Sequence, residues 1–186
     1  MNPASRARAR VARVTAAPHD PPLPRHFHRI EARGHVVYCL SPLAPDELVQ
    51  AGGLPREAIL GVTDRDAGEW AWGLRPNQLF VDLLNRLLTE HAELEPTLTH
   101  AALALRVGVL ELWDGRVGFS QRGEEDLLGC FQVREGRLLP RSFNPNRSYA
   151  LVTERGAPRL PARLQAALLA ELRSLRVLWP GPATTL

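Results

Sequence analysis

Three dipeptides ending in glycine interrupt apolar or alternating runs of this chain. They are Arg33-Gly34 in "HFHRIEARGHVVYC", Asp114-Gly115 in "VGVLELWDGRVGFS" and Glu135-Gly136 in "DLLGCFQVREGRLLPRSF". Two-residue hairpin loops need positive φ, which glycine accepts without steric cost, so each dipeptide predicts a tight turn between two strands. Strands joined this way pair antiparallel, because a parallel pair needs a crossover of a dozen or more residues. The strongest helical period lies between the hairpins. In "RPNQLFVDLLNRLLTEHAEL", Leu79, Phe80, Leu83, Leu84, Leu87 and Leu88 fall on one face. Pro96 opens a second helix to about Arg106. "LPARLQAALLAELRSLRVLW" predicts a third, and Pro45 a short one ending at Gly52. "EWAWGL" and "YALVT" read as short strands, and "LPREAILGV" as a helical turn or a strand. Together these predict an α+β fold, a single domain with a mostly antiparallel sheet built from hairpins and helices packed on one face.

Residues 1–24 have no sustained apolar period and end in a proline cluster, which predicts a disordered basic tail. The domain is then expected over 25–180, with a frayed C-terminus over 181–186. The basic residues number 23 and all are arginine. Arg6, Arg8, Arg10, Arg13 and Arg25 face only Asp20 in the first 25 residues, and the rest of the chain carries 18 arginines against 19 acids. The domain therefore reads as near neutral, without the basic footprint of a nucleic-acid binder. Any nucleic-acid contact is expected through the tail arginines Arg6, Arg8, Arg10 and Arg13. The absence of lysine reads as the coding bias of a bacterial source. No stretch is long and apolar enough to span a membrane, and the N-terminus lacks the apolar core of a secretory signal. Cytoplasmic location and two reduced cysteines, Cys39 and Cys130, are the expectation.

Side chains that bind metals crowd the first hairpin. A two-residue loop at Arg33-Gly34 pairs Ala32 with His35, Ile30 with Val37 and His28 with Cys39. Residues two apart share a strand face, so His26 and His28 point the same way. His26, His28 and Cys39 are thus the candidate zinc ligands, with Cβ atoms of the facing pair about 5 Å apart. The same face carries Ile30 and Val37, so buried hairpin histidines are the competing reading, and no cofactor is the expectation. "HFHRIE" is faintly similar to the first cupin motif. Glu31 follows too soon and no second motif occurs, so that chemistry is not carried over.

Other candidates are surface features. Asp64, Asp66 and Glu69 read as a solvated loop, as does the acidic "GEED" from Gly123 to Asp126. Trp70 and Trp72 share a strand face; they can line a partner surface or stack bases, with core packing as the competing reading. Arg141 and Arg147 border the turn made by Asn144, Pro145 and Asn146 and can grip a partner's carboxylate. His91, His100 and Cys130 read as surface or packing residues. No nucleophile elbow, phosphate loop or dinucleotide fingerprint occurs. The stretch from Leu127 to Tyr149 resembles bacterial proteins of unassigned function, which implies a bacterial source and no particular activity. The leading expectation is a non-catalytic protein-binding or accessory domain. A metal-dependent enzyme on the first hairpin and a nucleic-acid-associated protein are the alternatives.

Overall fold

The computed structural model describes residues 10–32, 34–65 and 73–177. The strands of the first hairpin pair in the predicted register. β2 (His26–Ala32) and β3 (His35–Ser41) pair antiparallel, with His28 opposite Cys39 and Ala32 opposite His35. Gly34 holds φ 76°, as the turn demands. After α1 (Pro45–Ala51), the ambiguous "LPREAILGV" supplies both a helical turn at Arg56–Ala58 and a strand, β4 (Gly61–Thr63). β5 (Arg75–Pro76) completes the antiparallel sheet β2-β3-β4-β5.

A second sheet runs in the order β1-β6-β7-β8, from β1 (Val11–Thr15), β6 (Gly108–Trp113), β7 (Leu127–Arg134) and β8 (Arg137–Leu138). β9 (Asn144–Pro145) also pairs with β7. Its inner face is apolar: Val14, Leu110, Leu112, Phe131, Val133 and Leu138 are buried, while Val11, Arg13, Gln132, Arg134 and Arg137 face out. Of the remaining helices, α2 is Gln78–His91, α3 is Pro96–Leu105 and α4 is Ala162–Ser174. α3 packs on β1, β6, β7 and β8, and α2 packs against α4. Phe80, Leu83, Leu84, Leu87 and Leu88 of α2 are all buried, and Asn77 caps that helix by accepting from the Leu79 N–H at 3.2 Å. One apolar cluster links both sheets and all four helices. The fold is α+β, mostly antiparallel, as the hairpins predict.

Three expectations need correction. The tail does not extend through residue 24. Residues 1–9 lie outside the described residues, but Val11–Thr15 pairs parallel with Val109–Trp113, and Leu23 is 1% exposed. Ala12 and Val14 face inward, and the strand's partner lies about a hundred residues further on. Second, Asp114-Gly115 does not close a two-residue hairpin. β6 and β7 are antiparallel neighbours, but residues 114–126 connect them. The Asp114 side chain is buried, and Gly115 packs so closely that an added Cβ would sit 2.7 Å from that of Ala16. Third, "YALVT" forms no strand beyond the bridge Thr153–Gly156, because the carbonyls of Ala150 and Leu151 turn to the Arg116 side chain. Glu135-Gly136 does close its hairpin, with φ 54° and 77° and Arg134 facing Arg137. "EWAWGL" lies outside the described residues up to Trp72, as do 181–186.

Candidate functional site

The first hairpin brings His28 and Cys39 together. His28 is buried, and its Nε2 lies 2.9 Å from the Leu43 carbonyl, which makes Nε2 the donor and removes it as a ligand atom. Burial lowers the pKa of this imidazole, the Leu43 bond partly offsetting that and His26 adding to it. His26 stands beside it, with ring centroids 6.4 Å apart. Burial pushes the Cys39 thiol up to about 11, so it stays protonated at neutral pH. Among the described residues no three His, Cys, Asp or Glu side chains gather as a metal-ligand set. Cys39 and Cys130 are both free thiols.

Burial concentrates charge elsewhere. Arg116 has 2% of its side chain exposed, and the Asp114 and Asp126 side chains have none. Arg116 Nε donates to Asp126 Oδ1 at 3.2 Å and lies 3.3 Å from Asp114 Oδ2. Its Nη1 serves the carbonyls of Leu151 and Gly156, and its Nη2 those of Ala150 and Glu125. Asp114 Oδ1 accepts the backbone N–H groups of Arg116 and Arg159, and Oδ2 accepts the Tyr149 hydroxyl at 2.9 Å. Arg155 reaches Asp126 Oδ2 at 3.0 Å. Burial raises the Asp114 pKa against the opposing pull of Arg116 and these bonds. Burial and then the Asp114 charge raise that of Tyr149 well above the phenolic norm. Every nitrogen of the guanidinium is occupied, so this network clamps two loops rather than offering a group to a substrate. It also corrects the solvated reading of "GEED". Asp126 turns inward because Arg116, Arg155 and the Gly123 N–H all donate to it.

The open features lie at the surface. A groove of about 1020 Å³ runs between α3 and the β7–β8 hairpin, lined by Glu93, Thr99, Ala102, Arg134, Arg137 and Leu138 among others. It shares Glu93 and Pro140 with a depression of about 510 Å³ that holds Arg86, Glu90 and Arg141. Arg141 therefore belongs to this groove, whereas Arg147 lies in a different depression with Cys130, Asn144 and Asn146. The two arginines do not share the turn's surface. Asn146 forms the turn as read, donating to the carbonyls of Glu124 and Leu127. Trp70, Trp72, Asp66 and Glu69 lie outside the described residues. His91 ends α2 and His100 lies on α3. Sequence reasoning missed Arg134 and Arg137, although their symmetric spacing about Glu135-Gly136 places them opposite each other in any two-residue hairpin. Set against known protein families, curated proteins and solved structures, the chain matches none.

Proposed function

We propose that the chain is a non-catalytic protein-binding or accessory domain of a bacterial cytoplasmic protein. The groove between α3 and the β7–β8 hairpin carries this reading. It is open, floored by Ala102, Leu138 and Pro140, and edged by Arg134, Arg137 and Arg141, whose side chains have no hydrogen bond or ion pair among the described residues. Apolar area ringed by arginine is the composition of a recognition surface. The buried Asp114, Arg116 and Asp126 are fully engaged in the fold and offer a partner no free polar group, whereas the groove arginines do. No helix among the described residues is long and apolar enough to cross a membrane.

A photo-crosslinking residue at Leu139, on the groove wall, tests the proposal in cells of the source organism. A discrete protein adduct is the expected result. Adducts to nucleic acid alone would favour a nucleic-acid contact at this groove over a protein partner. No adduct at all would remove the groove as a site.

A further inference from the structure

Topology collects four arginines at one end of the five-stranded sheet. Arg10 precedes β1, and its carbonyl accepts the Val109 N–H at 2.9 Å. Gly108 opens β6 so close to Arg10 that an added Cβ would collide with the Arg10 carbonyl oxygen. Arg106 lies between α3 and β6, and its carbonyl accepts the Gly136 N–H at 2.8 Å. That bond holds the tip of the β7–β8 hairpin against the end of α3, and Arg134 faces Arg137 across the hairpin. Arg10, Arg106, Arg134 and Arg137 are all exposed, and none of these side chains has a hydrogen bond or ion pair among the described residues.

The corner also carries costs that the fold does not need. Like charges directly opposite on a strand pair repel. Arg106 holds φ 68° and ψ −53°, with the Val107 N–H donating to the Leu105 carbonyl at 2.8 Å. That is a γ-turn of the strained, positive-φ kind. Glu135 beside it also has positive φ. Two exposed apolar side chains border the arginines. Leu103 is 58% exposed and lies against Gly136, and Val107 is 61% exposed and follows Arg106.

We infer that this corner, Arg10, Arg106, Arg134 and Arg137 with Leu103 and Val107, docks an acidic segment of a partner protein that carries apolar side chains between its carboxylates. The inference rests on the protein-binding reading above and names the partner's chemistry. Arginine forks match carboxylates in two-point geometry. Leu103 and Val107 offer apolar contact that a phosphate backbone does not use. Glu135 in the turn and Glu93 across the groove oppose a polyphosphate more than a segment with spaced carboxylates. Trp113, an aromatic on which a base could stack, lies at the opposite end of β6.

Fluorescence anisotropy with the full chain tests this. The probes are a labelled peptide of glutamate pairs separated by leucine, the same peptide with lysine for glutamate, and a mixed-sequence single-stranded oligonucleotide. The acidic peptide is expected to bind, to weaken as salt rises, and to lose about tenfold or more in affinity with Arg134→Gln plus Arg137→Gln. Arg106→Gly, which relieves the backbone, is expected to lose affinity without loss of thermal stability. Arg56→Gln, the same single charge loss as Arg106→Gly but in the helical turn before β4, is expected to bind as the parent does. Tighter binding of the oligonucleotide through the same arginines would overturn the inference, as would no binding of the acidic peptide. If the Leu139 protein adduct persists in the Arg134, Arg137 and Arg106 variants, this inference fails while the groove reading stands. If no adduct forms in the parent, the groove reading itself fails.

Discussion

Arg116 Nε donates to Asp126 Oδ1 at 3.2 Å, joining two loops of the β6–β7 connection inside the protein. Removing the guanidinium would leave Asp114 and Asp126 buried without their shared countercharge. Arg116→Leu is therefore expected to cost about 3–5 kcal/mol of stability. Arg116→Lys should recover little of it, because one ammonium cannot reproduce a planar fork serving acceptors on several sides. Tyr149→Phe, which deletes a single bond to Asp114, should cost about 1 kcal/mol. Chemical denaturation ranks the three, and an Arg116→Lys protein as stable as the parent would show that charge alone suffices.

The α2 face makes a simpler demand. Leu84 is buried in the cluster that links helices and sheets. Leu84→Ala is expected to leave a cavity and cost about 2–5 kcal/mol, read from the denaturation midpoint. An unchanged midpoint would remove α2 from the core.

What was legible in the sequence was local. Arg33-Gly34 and Glu135-Gly136 set the register of the strands on either side, and the leucine period of α2 marks its buried face. What was not legible depends on partners far along the chain. "VARVT" is too short and too arginine-flanked to stand out, and its pairing joins Arg13 to Glu111, 98 residues away. Asp114-Gly115 matches the hairpin pattern, yet its aspartate accepts bonds from Arg159 and Tyr149, which local sequence cannot supply. The neutral total of the domain likewise conceals the arginine corner, because a sum of charges carries no positions. Of the metal candidates, the facing of His28 and Cys39 follows from the turn. The bond from His28 to the Leu43 carbonyl does not.

The position of β1 changes what truncation should do. Removing residues 1–24 would strip β1 from β6 and expose the site filled by Leu23. Leu23 alone corresponds to about 2 kcal/mol of burial, before the lost ladder bonds are counted. The truncated chain is expected to melt lower than the full one, and equal melting would show that β1 adds nothing to the fold.

His28 predicts acid sensitivity. Burial holds its folded pKa below 6.5, the ordinary value for an imidazole. Below that value the unfolded chain binds a proton that the native ring refuses. Its contribution to stability is therefore complete above about 6.5 and falls away as pH drops toward the lowered folded value. His28→Gln can keep a donor for the Leu43 carbonyl and removes the titration. Its stability should decline less than the parent's between neutral pH and about pH 5, measured by denaturant titration at each pH. Parallel pH profiles would show that His28 does not carry the acid sensitivity.

Arg106 and Glu135 make the last test, since both hold positive φ at the arginine corner. A non-glycine residue in such a conformation costs about 1–3 kcal/mol. Glycine accepts it, at the expense of a more disordered unfolded chain worth about 0.5–1 kcal/mol. Arg106→Gly is thus expected to stabilise the protein by roughly 1 kcal/mol, a rise of about 2–4 °C in Tm. Glu135→Asn should also stabilise, because Asn-Gly suits a two-residue hairpin turn with both φ positive. The Arg106 carbonyl and the Gly136 N–H are bonded, so the two gains need not add. An arginine that the fold would exchange for glycine holds its place through what its side chain meets outside the fold. A lower Tm for Arg106→Gly would instead show that the guanidinium supports the native structure, and the docking role would lose its strongest support.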